Sequence, residues 1–248
     1  MSNVLKKTGS VAKRVFLQLR GDKRFLAGSI LIPLVIIYFM NIVLEAMSSP
    51  GFDPSIYVIP YGGFIIHLIT FILAAIVVVR ERTGGTLSRM FVSGYYQVEI
   101  ISGYMVAYSV LATVQSLVIL LEMNWLFELN YDLEKLASFY LVMWLLAVIS
   151  VVLGMLVSNF ARNEGQVFPF IPLVVLSVIL SGIILPVDRL PEWSQVLSYL
   201  TPLYYTNELL QELIANRGLA DNLEMVAYLL MYGIVVMSLA IITLSEKD

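Results

Sequence analysis

The sequence predicts an all-α integral membrane protein with six membrane-spanning helices. Hydrophobic residues make up 59% of the 248-residue chain and charged residues only 13%, whereas soluble domains are about 45–50% apolar and about 25% charged. Six stretches without Asp, Glu, Lys or Arg also reach about 20 residues, the length that crosses a hydrocarbon core. These runs are continuous rather than alternating, which favours helices over the strands of a membrane barrel.

The whole chain is expected to form a single transmembrane domain. The predicted spans cover residues 25–47, 55–79, 98–127, 136–161, 165–187 and 223–245. An interfacial helix over residues 4–20 precedes them. A cytoplasmic segment over residues 80–96 joins the second and third spans, and outer helices over residues 188–216 join the fifth and sixth.

The distribution of basic residues predicts the orientation of the chain. Twelve Lys and Arg lie in the N-terminal segment, the second-to-third and fourth-to-fifth connections, and the C-terminal tail with Lys247. The other connections hold three, namely Lys135, Arg189 and Arg217. Because Lys and Arg concentrate in cytoplasmic loops, we expect a multi-pass protein of the cell membrane (inner or plasma) with both termini in the cytoplasm.

The N-terminal segment reads as a basic amphipathic helix. Its apolar residues, among them Val4, Val11, Val15 and Leu19, recur at helical spacing, and Lys and Arg occupy the other face. Such a helix is expected to lie in the cytoplasmic interface, attracted by anionic lipid. The alternative is a helix that packs on a partner through the same apolar face.

The connection after the second span contains a turn followed by a short helix. Gly84 and Gly85 permit a sharp turn, and a helix is expected to begin near Thr86. Leu87, Met90 and Phe91 then share one apolar face. That face needs a partner, which the spacing leaves open as lipid, the rest of this chain or another protein.

Two features interrupt the second half of the chain. Pro169 and Pro172 are expected to kink the fifth span, either as a static kink or as a hinge. Further on, Pro191 suits the start of a short helix that Thr201 and Pro202 end, and a second short helix follows. Both pieces are amphipathic and too short to span, which indicates an outer helical hairpin.

The sequence offers no catalytic or metal-binding constellation. It has no cysteine and one histidine, His67, which excludes a zinc cluster and a histidine-based triad. It contains no Gly-Lys pair, so it has no P-loop for ATP phosphates. The net charge of −3 gives no basic field for nucleic acid. His67 lies in the middle of the second predicted span, where a packed, hydrogen-bonded histidine is more typical than a functional one.

Three features resemble the membrane subunits of ABC type-2 exporters, closest to the drug-exporter branch. The first is the basic amphipathic helix before the first span. The second is the segment after the second span, which looks like that family's Glu-Arg-x-x-Gly-Thr-Leu coupling segment. The third is the outer pattern Ser181-Gly182-Ile183, Leu190-Pro191-x-Trp193 and Pro202-Leu203-x-Tyr205.

The resemblance implies a division of labour between subunits. ATP and Mg would bind a separate ABC ATP-binding subunit in two copies, and this chain would bind no cofactor, hydrolyse nothing itself, and pair with a second permease as a homodimer or heterodimer. The residues implied to couple to the ATPase are Glu81, Arg82, Thr83, Gly84, Gly85, Thr86, Leu87, Met90 and Phe91. Spans two and five would line the translocation path, which implicates Phe64, His67, Phe71, Phe168 and Phe170. The substrate would be hydrophobic or amphipathic, such as a drug, a lipid or a lipid-linked glycan.

Two other classes of membrane protein compete with this interpretation. The first is a self-sufficient channel or ion-coupled carrier, which often shows internal repeats and intramembrane charges. Neither feature is evident in this sequence. The second is a structural or sensory membrane protein without a transport path, against which the buried prolines and the outer hairpin argue mildly.

Overall fold

The computed structural model describes residues 2–47 and 53–244, and the regular secondary structure of these ranges is entirely helical. The α-helices are α1 (Ser2–Gly21), α2 (Lys23–Met47), α3 (Ser55–Thr83), α4 (Thr86–Val92), α5 (Gln97–Leu126), α6 (Leu133–Ser158), α7 (Ile171–Leu180), α8 (Glu192–Ser198), α9 (Pro202–Ile214) and α10 (Leu223–Thr243). Short 3₁₀ turns lie at Glu164–Gln166, Phe168–Phe170, Val187–Arg189 and Leu219–Asn222. The predicted end of the sixth span at residue 245 and the tail with Lys247 lie outside the described residues.

Five helices of the described ranges are long and apolar enough to cross a membrane: α2, α3, α5, α6, and α10 with the turn before it. They differ in how much of their surface the rest of the chain covers. In α3 and α6, 61% of the most apolar window is buried, against 22% in α2 and 17% in α10. The bundle therefore has α3 and α6 at its centre and α2 and α10 at its periphery, where apolar side chains face outward.

The fifth predicted span, residues 165–187, is not one continuous helix. Two 3₁₀ turns occupy its start, and α7 ends at Leu180, so the apolar helical run Glu164–Leu180 is shorter than the five long helices. Pro169 and Pro172 lack the amide hydrogens of regular helical bonding. Gly182 then turns the chain with a φ of 84°. The chain therefore has six spans only if this shorter, interrupted segment also crosses the membrane.

The close contact of α3 with α6 depends on small residues. A Cβ atom placed on Gly154 of α6 would lie 2.5 Å from the Phe71 carbonyl oxygen, 2.8 Å from the Ala75 amide nitrogen and 2.9 Å from the Ala74 Cβ. Without that atom the two backbones approach closely, as membrane helices do where dispersion contacts hold them together. Gly154 therefore fixes the centre of the bundle.

Helix α1 lies against the bundle through one side of its apolar face. Val11, Val15 and Leu19 are buried in a cluster that includes residues of α3, α4 and α5. Leu5 and Leu17 stay exposed. One side of the expected interfacial helix therefore packs against the rest of its own chain, and another apolar side faces outward.

The segment between α7 and α10 contains two short helices of different burial. Helix α9 buries Leu203, Leu209 and Leu210 against the bundle. Helix α8 leaves Trp193 and Val196 largely exposed. One half of the expected hairpin is therefore anchored in the core, and the other half lies at the surface.

Candidate functional site: the junction of α1, α3, α4 and α5

A partly buried ion pair connects α1 to the end of α3. The Arg14 Nη1 atom donates to Glu81 Oε2 at 3.2 Å, and Arg14 Nη2 donates to the hydroxyl of Tyr104 on α5. Glu81 is 9% exposed and Tyr104 is 1% exposed. A guanidinium that reaches two partners on different helices fixes their relative position, because its planar fork holds several donors rigidly.

A second ion pair connects α1 to the beginning of α5. Lys7 Nζ lies 3.6 Å from Glu99 Oε2 and also donates to the carbonyl oxygen of Gly94. The same Glu99 carboxylate accepts the amide of Tyr96 at 2.9 Å, which satisfies one free donor at the start of α5. Glu99 is 1% exposed. Helix α1 is therefore held at two points along its length.

The turn between α3 and α4 depends on glycine and on an anchored arginine. Gly85 has a φ of 67°, in the left-handed region where glycine carries no steric cost. Arg82 Nη1 donates to the carbonyl oxygens of Ser158, at 2.9 Å, and Ala161. These carbonyl groups lie at and beyond the end of α6, so the turn is tied to that helix.

The apolar face of α4 points into this chain. Leu87 and Met90 are 2% and 8% exposed and join the cluster of Val11 and Val15 on α1. Among the alternatives left open by the spacing, the rest of the chain is therefore their partner. Leu87 and Met90 are covered by their own chain, and their coupling to an ATPase stays a prediction.

The other face of α4 is open. Thr83 and Gly84 precede the helix at exposed positions, and Thr86 and Phe91 are half-buried. Ser88 and Arg89 are exposed, and Val92 is 83% exposed. Arg89 Nη2 donates to Thr86 Oγ1 at 3.1 Å, so this cation lies over the first turn of α4. An incoming protein would meet these groups.

The structure does not bring the five predicted path residues together. His67 and Phe71 are each 2% exposed on α3, and His67 Nδ1 lies 2.6 Å from Ser150 Oγ on α6. Phe64 is half-buried against the cluster of α6, α7 and α9. Phe168 is 62% exposed and Phe170 half-buried before α7. His67 and Phe71 therefore belong to the α3–α6 contact and face no open path in this conformation.

Sequence reasoning missed four residues of the junction: Lys7, Arg14, Glu99 and Tyr104. The signal for Glu99 was available, since an acid at the third position of a helix commonly caps its beginning. Helical spacing places Lys7 and Arg14 on the polar face of α1. Their partners lie 92 and 67 residues further along the chain, beyond the reach of local periodicity.

The junction consists of paired charges and an open helical face. Among the described residues, no group of three or more His, Cys, Asp or Glu side chains is placed to hold a metal ion. The paired charges hold helices to one another, and α4 presents an open polar face. Fold and junction together define a multi-pass, all-helical membrane protein.

The chain belongs to the ABC-2 type transporter family, whose family profile matches residues 6–214. It is 27% identical over 178 residues to the "Probable multidrug ABC transporter permease YbhR" of Escherichia coli, which covers 70% of this chain and 47% of that protein. It is 27% identical over 150 residues to the "Linearmycin resistance permease protein LnrN" of Bacillus subtilis, covering 60% of this chain and 38% of that protein.

A third relative comes from a eukaryote. The chain is 25% identical over 211 residues to "ABC transporter G family member 20" of Dictyostelium discoideum, covering 79% of this chain and 29% of that protein. The chain thus matches about half the length, or less, of these curated relatives. These similarities support the drug-exporter branch of the family.

Proposed function

We propose that this chain is the transmembrane subunit of an ATP-driven ABC exporter, and that a separate ATP-binding subunit docks on the exposed face of α4. The observation that carries the proposal is the two-sided character of α4. Leu87 and Met90 fix one face to α1, whereas Ser88, Arg89 and Val92 leave the other face open. A short helix that is rigidly held on one side and open on the other suits the transfer of force.

The junction suggests how that force spreads. The Arg14–Glu81 pair ties α1 to α3, and the Lys7–Glu99 pair ties α1 to α5. A displacement of α4 would therefore move the ends of α3 and α5 together rather than separately. ATP and Mg on the partner would bias two arrangements of these helices, which is the logic of a nucleotide-driven switch. This chain would bind no cofactor and catalyse no reaction itself.

In this proposal the assembly contains two permease domains, as a homodimer or heterodimer, and two ATP-binding subunits in the cell membrane. Both termini face the cytoplasm, as the basic residues favour. The run Glu164–Leu180 serves as the fifth crossing. Phe168 and the half-buried Phe64 and Phe170 are better placed than His67 and Phe71 to meet a substrate. That substrate is hydrophobic or amphipathic: a drug, a lipid or a lipid-linked glycan.

The test is co-expression with a candidate ABC ATP-binding protein from the same organism, followed by purification in lipid and measurement of ATP hydrolysis. Val92→Asp places a charge on the exposed face of α4, and we expect it to weaken recovery of the ATPase by about tenfold, equivalent to 1.4 kcal/mol. Because Val92 is 83% exposed, the fold of the chain itself should survive the substitution. Leu87→Asp would be uninformative, since it puts a charge into the core.

Val196→Asp is the matched control, because Val196 is an exposed valine on α8 and not on α4. It should leave recovery of the ATPase and its hydrolysis unchanged. Equal recovery with both variants would remove α4 as the docking surface. A chain that recruits no ATPase and conducts ions alone would support the channel or carrier alternative instead.

A further inference from the structure

A large cavity lies among the beginning of α3, the turn after α7, and helices α8 and α9. Its volume is about 690 Å³, within the range of about 300–1,000 Å³ that small-molecule sites occupy. Three tyrosines, Tyr57, Tyr199 and Tyr204, line it together with aliphatic groups of the turn. The cavity therefore offers both apolar and polar surface to a ligand.

The charged residues that line this cavity are all acidic. Asp188 and Glu208 line it, and none of its lining residues is Lys or Arg. Arg217, the basic residue that follows α9, is engaged with Glu212 in an ion pair outside the cavity. Burial raises the pKa of Glu208, and repulsion from Glu212 adds to this effect. A cation bound beside Glu208 would offset both costs.

A buried amide adds negative potential to the cavity. Asn207 is 3% exposed and lines the cavity. Its Nδ2 atom donates to the Ser181 carbonyl oxygen at 2.9 Å, which fixes the orientation of the amide. Its Oδ1 atom is buried and accepts no hydrogen bond from any described residue. A buried acceptor without a donor is costly, so a ligand that carries partial positive charge would improve its environment.

The tyrosine rings supply an aromatic wall. Tyr199 and Tyr204 pack edge to face, with ring centroids 5.3 Å apart, and Tyr204 also interacts electrostatically with Glu208. The faces of aromatic rings attract cations within about 6 Å of the centroid. Proteins commonly recognise quaternary ammonium groups through the faces of aromatic rings.

We propose that this cavity binds a monovalent organic cation with apolar substituents, held by Glu208, Asp188 and the ring of Tyr204. The assignment of such a cation as cargo depends on the proposed export function. Binding itself does not, because every residue named here belongs to this chain.

The experiment measures equilibrium binding of tetraphenylphosphonium to the purified chain in nanodiscs of neutral lipid. Tetraphenylborate, which has nearly the same shape and the opposite charge, is the comparison ligand. We expect the phosphonium ion to bind and the borate to bind at least about tenfold more weakly at this site. Glu208→Gln should weaken binding of the cation by about tenfold, because it removes one charge and preserves the shape of the side chain.

Two matched variants separate specific from general effects. Glu192→Gln removes an exposed carboxylate from α8, which borders the cavity, but not from the cavity wall, and should change affinity by less than about twofold. Tyr204→Leu should weaken binding by about threefold, whereas Tyr204→Phe keeps the aromatic face and should retain it. Thermal melting of each variant shows that the protein is folded.

Equal binding of the two ions, or equal affinity in the Glu208→Gln and Glu192→Gln variants, would overturn the inference. Either result can occur while the ATPase still assembles on α4, in which case the proposed function stands without a cation site. Conversely, selective cation binding without recruitment of an ATPase would retain the site and refute the exporter proposal.

Discussion

Acidic side chains have different electrostatic surroundings at the two ends of the bundle. At the junction, Glu81 and Glu99 are buried, and each has a cation from α1 within 3.6 Å. In the cavity by α9, Asp188 and Glu208 line a common wall that contains no Lys or Arg. Each carboxylate at the junction therefore has a cationic partner within the chain, whereas the wall of the cavity contains none.

This difference indicates different tasks for the two ends. Removing one member of a buried pair leaves the other charge stranded, so a complete pair locks the position of its helices. Carboxylates in a wall without Lys or Arg leave their negative charge available to a cationic ligand. The junction therefore suits the transfer of motion, and the cavity suits recognition.

The largest expected effect follows the loss of Glu81. Glu81→Ala leaves the partly buried Arg14 guanidinium without its carboxylate and should lower the free energy of unfolding by about 3 kcal/mol. Denaturant titration of the purified protein in lipid or detergent measures this change. The double variant with Arg14→Ala should recover part of the loss, because neither charge is then stranded.

The control is the exposed pair of Arg80 and Glu164. Their Nε and Oε1 atoms lie 2.8 Å apart, and both side chains are about half exposed. Glu164→Ala should therefore cost less than about 1 kcal/mol, since solvent screens such pairs. Equal losses for Glu81→Ala and Glu164→Ala would show that burial does not distinguish the junction.

A smaller effect is expected at the contact that holds the two ends together. Gly154→Ala places a methyl group 2.5 Å from the backbone oxygen of Phe71, so α3 and α6 must separate. Overpacking of this kind costs about 1–3 kcal/mol, and the melting temperature should fall accordingly. Gly28→Ala is the control, because a Cβ there meets only the side chain of Ile32 at 3.8 Å. A stable Gly154→Ala variant would contradict the close approach of the helices.

Much of the helical architecture was predictable because it follows from local sequence. Long charge-free runs indicate apolar helices, the Gly84-Gly85 pair indicates a turn, and the short helix after it begins at Thr86 as expected. The family resemblance carried by the segment from Glu81 to Leu87 is confirmed by the family profile over residues 6–214. Continuity of the fifth span was not predictable from the absence of charge, since Pro169 and Pro172 interrupt backbone bonding without changing polarity.

The candidate sites were harder to predict because they depend on distant pairings. Periodicity showed that Leu87 and Met90 share a face, but it does not say what covers that face. The Arg14–Glu81 pair joins residues 67 positions apart, and the cavity brings Tyr57 next to Tyr204. The path assignment to His67 rested on its position within a span, which fixes depth and not the direction of the side chain.

Substitution of Glu208 should change the stability of the protein least, and it should not be destabilising. Its pKa in the folded protein is raised above the ordinary 4.5, first by burial and then by Glu212. The folded state therefore resists ionisation of this group. The stability of the protein is highest at pH values below the pKa that Glu208 has in the unfolded chain. It falls as the pH rises through the raised pKa that Glu208 has in the folded protein. Glu208→Gln should remove that fall and leave the protein equally stable, or more stable by about 0.5 kcal/mol, at pH 8, because solvent screens the half-buried carboxylate.

A Glu→Gln substitution at the junction allows the stability effects of a paired and an unpaired carboxylate to be compared directly. Glu81→Gln removes a charge that Arg14 pairs with and should lower stability at pH 8, whereas Glu208→Gln should not. Melting temperatures of the two variants at pH 4 and pH 8, each against the parent protein, measure both signs under identical conditions. If Glu208→Gln lowers stability at pH 8 as much as Glu81→Gln does, Glu208 has a stabilising partner in the protein, and the contrast between a paired junction and a receptive cavity is lost.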